Sequence, residues 1–375
     1  MYTHRRALMY ALDRVYTVND CIALGYFKQE GFTISTNKVI PFEISKIIDF
    51  KEEFMGTSTN RMFVLSDSSH LNTEQQEYII DIYNNNVFEN RKISQISLKN
   101  FNLPNKDVYI RRGSNEKYDF HHDFARGATF NSITIDLVNG GNISSMNSLF
   151  RGAKFKNITF VQEVTPVDIS GIFEWNNILT AVPNNINWCN CEYIGYAFET
   201  CRSLKEIPSY KDVTDEESRI TLKKNIIGIT ASYEDEEGNL ITNTGIRFSN
   251  QTFNQCSGIT KVGPVLDMKG VTATPTNMFN DCMQIKDIRI KNLNCDFNFA
   301  KNGWQGLPNM DVDSIMYCLN NLMQQEEITK TVKFSDLYYT DLINAITSTL
   351  LDTIHNKGWL LYIGDIEITT EVLTI

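Results

Sequence analysis

The decapeptide Arg126-Gly127-Ala128-Thr129-Phe130-Asn131-Ser132-Ile133-Thr134-Ile135 returns one period later as Arg151-Gly152-Ala153-Lys154-Phe155-Lys156-Asn157-Ile158-Thr159-Phe160. A second form of the unit reads Phe173-Glu174-Trp175-Asn176, then Leu179, then Val182-Pro183. It comes back at the same interval as Phe198-Glu199-Thr200-Cys201, Leu204 and Ile207-Pro208. Two further copies are Phe253-Asn254-Gln255-Cys256 with Ile259 and Val262, and, after nearly the same interval, Phe279-Asn280-Asp281-Cys282 with Ile285 and Ile288. A unit this short cannot bury its own apolar face, so a chain that repeats it must stack the copies.

Ahead of each phenylalanine the apolar residues stand three and four apart: Met146, Leu149 and Phe150; Ile169, Ile172 and Phe173; Ile194, Ala197 and Phe198. That spacing predicts one to two helical turns with one buried face. After the phenylalanine, alternation as in Ile133-Thr134-Ile135 or Ile288-Arg289-Ile290 predicts a short strand. The expected product is a parallel ladder with one strand per repeat between residues 130 and 290, its core a column of Phe150, Phe173, Phe198, Phe253 and Phe279. The third residue after each phenylalanine is Ala153, Asn176, Cys201, Cys256 or Cys282, a column of small or weakly hydrogen-bonding side chains suited to a recurring tight turn. The ladder is expected to begin at Ile96-Ser97-Leu98-Lys99-Asn100-Phe101-Asn102, which echoes Ile288-Arg289-Ile290-Lys291-Asn292-Leu293-Asn294.

More than twice the usual interval separates Phe198 from Phe253, so the rhythm is interrupted. The segment from Ile227 to Tyr233, the acidic run Glu234-Asp235-Glu236-Glu237-Gly238-Asn239 and then Leu240-Ile241-Thr242 predict a hairpin with an acidic tip. Insertions of this kind project from one face of a repeat stack.

The ends differ from the middle. Residues 3–16 predict a helix N-capped by Thr3, with Leu8, Ala11, Leu12 and Val15 on one face. Asp13 and Arg14 end its apolar stretch below the roughly 7–15 residues of a secretory signal, so export by a cleaved signal is not expected. Thr73 to Tyr83 predicts a helix, and Met62-Phe63-Val64-Leu65 a strand. Toward the other end, Asp311 or Asp313 caps a helix carrying Ile315, Met316, Leu319, Leu322 and Met323. A strand at Thr331–Phe334 follows, then a helix from about Thr340 to His355, Gly358 as its left-handed C′ residue, and a strand at Trp359–Ile363. The closing segment, Ile366–Ile375, is β-branched and nearly alternating and predicts a strand that pairs either with a neighbour's sheet or within the chain's own N-terminal domain or cap.

The fold class expected from all this is α/β: a leucine-rich-repeat-like solenoid with short parallel strands and short helices, a separate N-terminal α+β domain and a helical C-terminal cap. The expected divisions are 1–92 for an N-terminal docking or cap domain, 93–308 for the solenoid with an acidic hairpin insertion at about 211–245, and 309–375 for the C-terminal cap and tail strand.

Composition narrows the function. Acidic residues outnumber basic ones 45 to 35, and an acidic surface repels phosphate backbones, which argues against a nucleic-acid partner. No run reaches the ~20 apolar residues of a membrane span, so membrane insertion is not expected. The eight cysteines are expected as reduced thiols, because a chain this long builds a core without staples.

The Phe-x-x-Cys repeats and their Arg-Gly-Ala-x-Phe variant resemble the BspA-type leucine-rich repeats of gut and oral bacterial surface proteins and of their phages. The closing pieces, Asp313–Leu322, Lys330–Phe334 and Asn356-Lys357-Gly358-Trp359, resemble the terminal cap of that family, and the likeness covers roughly residues 120–363. The resemblance implies adhesion or recognition. Two carriers fit: a structural protein of a phage particle, tail-associated or part of an appendage and assembled in the host cytoplasm, or a bacterial cell-surface adhesin. The unsuitable N-terminus favours the virion. The partners so implied are other virion structural proteins in an oligomeric assembly, and a host surface glycan or protein.

No catalytic, cofactor-binding, metal or partner-binding residue is assigned from the sequence, and the chain is read as a non-enzyme that needs no cofactor. His121-His122-Asp123 is the sharpest candidate cluster, but adjacent histidines on a strand point to opposite faces, and a surface turn accounts for them. Cys189-Asn190-Cys191 lacks a second pair at zinc-ligand spacing. Glu234-Asp235-Glu236-Glu237 lacks the alternating oxygen ligands of a calcium loop. Gly140-Gly141 and Gly152 read as repeat turns rather than a phosphate loop. Trp175 and Trp188 have faces suited to sugar rings, yet core packing explains them equally well.

Overall fold

A computed structural model describes residues 98–112, 124–137, 145–209, 225–228, 245–300, 307 and 309–373, with short stretches at 15–17, 41–43, 233–234 and 240–241 and single positions at 73 and 77. It is a mixed α/β structure of short parallel strands and few helices. Val15 and Tyr16, the end of the expected first helix, lie instead in strand β1 (Val15–Thr17), antiparallel to β2 (Pro41–Glu43); the rest of that helix and Met62–Leu65 lie outside the described residues. Thr73 and Glu77 are helical, as expected. The chain divides into two compact units, residues 1–141 with 149–162 and residues 142–148 with 163–375.

In the first unit β3 (Asn102–Arg112), β4 (Thr129–Leu137) and β5 (Asn157–Phe160) form a parallel sheet in that order. Val108, Ile133 and Ile158 are aligned across it, as are Ile110, Ile135 and Phe160, and all six are buried. The twin Arg-Gly-Ala motifs are the turns entering β4 and β5. Gly127 and Gly152 sit at φ +67° and +66°, a left-handed geometry that glycine adopts at least cost, and the Gly127 N–H donates to the Arg151 carbonyl at 3.1 Å. Phe150 is buried here, edge-on to Phe124 and Phe155 at 6.3 and 5.3 Å.

The second unit is a succession of hydrogen-bonded rungs at 168–179, 193–204, 248–259 and 276–285. The spacing that predicts helix does not make one. The N–H groups of Ile169, Gly171, Phe173 and Trp175 donate to the carbonyls of Tyr193, Gly195, Ala197 and Glu199 on the next rung. The intervening N–H groups of Ile172, Glu174 and Asn176 reach back three residues. Each of these donors is used, but four of the seven leave the local turn, which an α-helix cannot allow. The alternation requires left-handed residues four apart: Gly171 and Trp175, Tyr196 and Thr200, Gln251 and Gln255, Asn277 and Asp281. Gly258 is needed for space rather than conformation: a Cβ there would fall 2.2 Å from the Arg202 carbonyl oxygen of the neighbouring rung.

The phenylalanine midway between each left-handed pair points inward. Phe173 and Phe198 are 5.9 Å apart between ring centres, Phe198 and Phe253 5.7 Å, and Phe253 and Phe279 5.4 Å, the last two pairs within 5° of parallel. Four of the five expected rings therefore form one buried column in this unit. The cysteine column has a definite job: the thiols of Cys201, Cys256 and Cys282 donate to the carbonyls of Phe173, Phe198 and Phe253 one rung away. The seven described cysteines are free thiols. Burial raises the thiol pKa of Cys201 and Cys256, which keeps them in the protonated, donating form. Asn176 occupies the same column, fully buried, and its side-chain amide has no hydrogen-bond partner among the described residues.

Strands are scarcer than one per repeat. After β6 (Glu206–Ile207) and β7 (Ile226–Ile227), β8 (Tyr233–Glu234) and β9 (Leu240–Ile241) form the expected antiparallel hairpin. β6 and β7 both pair in parallel with β10 (Lys261–Asp267), which also pairs with β11 (Asp287–Lys291). Ile227 thus belongs to the ladder rather than to the hairpin arm. The segment around 164–187 contributes only isolated bridges, Ser145↔Asp168, Val164↔Ile186 and Asp168↔Tyr193. Proline has no N–H for a ladder: Pro183 lies in this stretch, β6 stops before Pro208, and the register of β10 against β11 shifts across Pro264.

The C-terminal stretch uses ordinary helices. β12 (Phe297–Asn298) precedes α1 (Val312–Asn320), whose N-cap Asp311 accepts from the Ser314 N–H at 2.7 Å. β13 (Lys330–Phe334) follows. The single helix expected near 340–355 is two, α2 (Tyr339–Ala345) and α3 (Ser348–Asn356), because the Thr347 side chain caps the Leu350 N–H and restarts the helix. Gly358, at φ +84°, ends α3 as expected and leads into β14 (Trp359–Ile363). The tail is not one strand. Its first two residues, β15 (Ile366–Glu367), fold back antiparallel on β14, Ile368 is buried, and Thr370–Leu373 form a helical turn, α4. The sheet order is β12-β13-β14-β15. Gly364, left-handed at φ +60°, makes the tight return possible.

Candidate interaction surface

From Ser145, ahead of the first rung, one residue just before a buried position pairs with its counterpart on the next rung: Ser145↔Asp168, Asp168↔Tyr193, Tyr193↔Phe248. The following residues, Met146, Ile169, Ile194 and Ser249, are buried, so alternation turns this row outward. Tyr193 is 36% exposed. The Phe248 ring lies across Gly195, where a Cβ would meet its Cε1 at 2.2 Å, and stands 6.1 Å from the Tyr196 ring at a 44° tilt. Only glycine at 195 leaves room for the ring at that place. Phe248, the bridge partner of Tyr193, is partly exposed and sets its ring beside that of Tyr196, so the three are neighbours along one strip without sharing a plane.

Fixed polar groups border the strip. The Asp168 carboxylate accepts from Asn147 Nδ2 at 3.1 Å and from the Ser170 N–H at 2.8 Å, which sets its orientation. Glu192 is buried and held by Arg247 at 3.1 Å, and both the Arg247 and Phe248 N–H groups donate to the Glu192 carbonyl. The pairing neutralises a buried carboxylate beside the rings.

The residues weighed from the sequence fall elsewhere. His121, His122 and Asp123, the acidic tip at 235–239, and Gly140-Gly141 lie outside the described residues. Cys191 is buried with its thiol donating to the Pro166 carbonyl at 3.2 Å, while Cys189 is half-buried against Asn190. Among the described residues no group of three or more His, Cys, Asp or Glu side chains is placed to hold a metal ion. Gly152 is a turn residue, as read. Trp188 is core; Trp175 is 49% exposed, in the left-handed position of its rung. The outward row escapes a reading of the sequence because Ser145, Asp168, Tyr193 and Phe248 share no residue type. Its only signal is register, one position ahead of Met146, Ile169 and Ile194.

No protein-family model matches the chain, and neither a curated protein nor a solved structure is detectably similar to it. Among the described residues no helix is long and apolar enough to cross a membrane.

Proposed function

We infer that the rungs of each unit are coils of a leucine-rich-repeat-like solenoid, closed at the C-terminal end by the α1–α3 cap, and that the protein is a non-catalytic recognition and structural component of a phage virion, tail-associated or part of an appendage. The observation that carries recognition is the outward row: backbone-paired rungs hold Asp168, Tyr193 and Phe248 in fixed register, and binding surfaces gain most from such rigid, half-exposed aromatics. The thiol column supports assembly in a reducing compartment, the host cytoplasm, since its cysteines are used as protonated donors rather than in disulfides. Its partners are then neighbouring virion proteins and a host surface glycan or protein. Immunogold labelling and mass spectrometry of purified particles test the assignment. Stoichiometric presence on the particle is expected; finding the protein only on the surface of bacterial cells overturns it in favour of an adhesin.

A further inference from the structure

We propose that the Asp168–Tyr193–Phe248 row binds an uncharged oligosaccharide, built of neutral hexoses or N-acetylhexosamines. The inference rests on the recognition reading above and names its ligand class. A sugar ring has an apolar C–H face and a rim of hydroxyls, so it asks a protein for a flat aromatic surface with fixed acceptors at its edge. Tyr193, 36% exposed, supplies the stacking face, and the partly exposed rings of Tyr196 and Phe248, 6.1 Å apart and tilted by 44°, supply a second apolar patch beside it. Asp168 supplies the acceptors: both of its oxygens are steered by Asn147 and Ser170, and each retains a lone pair for a hydroxyl. Successive rungs lie about 4.8 Å apart, as neighbouring strands do, close to the advance of one sugar along a chain, so a short oligosaccharide can run across three rungs.

Charge selects among glycans. The carboxylate of Asp168 borders the row, Arg247 is engaged by Glu192 at 3.1 Å, and the whole chain is acidic, 45 carboxylate side chains against 35 basic ones. An anionic sugar would meet repulsion at Asp168 with the neighbouring guanidinium already paired. Neutral sugars meet none. The rungs also arrive preformed, their donors satisfied by one another, so little ordering is needed on binding.

The test applies the full chain to a printed array carrying neutral hexose and N-acetylhexosamine oligosaccharides beside sialylated and uronic-acid-containing ones. Signal on neutral spots and none on anionic spots is expected. Tyr193→Ala should weaken it by roughly tenfold, the scale of one aromatic contact; Tyr193→Phe, which keeps the ring, should retain it; Asp168→Asn should weaken it. Thermal midpoints close to that of the unsubstituted chain show that the variants fold. A blank array, preference for anionic glycans, or a signal indifferent to Tyr193→Ala overturns the proposal. Particle labelling is independent of the array. A virion protein with a blank array loses only the ligand class, and a glycan binder absent from particles loses only the virion assignment.

Discussion

The rungs at 168–285 and the helical stretch at 311–373 are written in the same apolar code and fold differently. Ile169, Ile172 and Phe173 have the three-and-four spacing of Ile315, Cys318 and Leu319 on α1, and both sets are buried. On α1 the backbone satisfies itself and begins at a capping aspartate. In the rungs every second N–H is given to a neighbour, so no rung is complete alone. The lesson is that apolar spacing specifies which side chains go inward, while the handedness of the residues between them decides whether the backbone closes on itself or on the next copy.

The largest test is in the shared core. Phe253 has a near-parallel ring on each side, at 5.7 and 5.4 Å, and truncating a buried phenylalanine costs about 3–5 kcal/mol. Phe253→Ala should lower the urea midpoint accordingly and expose neighbouring rungs to amide exchange. If each rung were as self-sufficient as α1, exchange would rise only at 248–259, and the contrast between rungs and helices would fail.

A smaller effect separates the two kinds of buried thiol. Cys282 in the rungs donates to the Phe253 carbonyl, whereas burial alone raises the Cys318 thiol on α1, to about 12. A serine hydroxyl at 282 inherits a ready acceptor one rung away; at 318, in the buried face of α1, it can only share the carbonyl four residues back, which the helix already uses, and a poorly met buried hydroxyl costs about 1–3 kcal/mol. Cys282→Ser should therefore destabilise by less than Cys318→Ser in matched denaturation curves. Equal losses would mean that the thiol-to-carbonyl bonds are not what the cysteine column supplies.

How much of the fold is legible in the sequence follows from the same distinction. The phenylalanine column and β4 and β11 can be read because repetition and alternation report burial, and burial is what a sequence encodes most directly. Gly358 is readable because a glycine after a helical pattern has few other uses. The rungs read as helices because their left-handed positions are mostly not glycine: Tyr196, Thr200, Gln251 and Gln255 carry no local signature of positive φ, and the neighbouring rungs impose it. The break at Thr347 is hidden because Ile346 on one side and Leu351 on the other continue the apolar pattern across it. The outward row is invisible for a third reason. Its members differ in type, and only the inter-rung pairing brings Asp168, Tyr193 and Phe248 together.

The smallest effect is the most discriminating, because its sign changes. Thr200 sits at φ +62°, a left-handed geometry that costs a residue with a Cβ roughly 1–2 kcal/mol. Thr353 lies in α3, exposed, its hydroxyl bonded back to the Thr349 carbonyl at 2.8 Å. Replacing each with alanine and with glycine isolates the backbone, since the two variants at a site differ only in the Cβ. At 353 the glycine variant should be less stable than the alanine variant by about 1 kcal/mol, the usual helix-interior difference. At 200 the order should reverse, glycine exceeding alanine by about the same amount, because glycine alone enters the left-handed region without strain. Both pairs are within reach of thermal denaturation followed by circular dichroism. Should alanine be the more stable residue at both sites, residues 196–200 are helical after all, and the N–H groups assigned to the rung at 248–254 belong to their own turn.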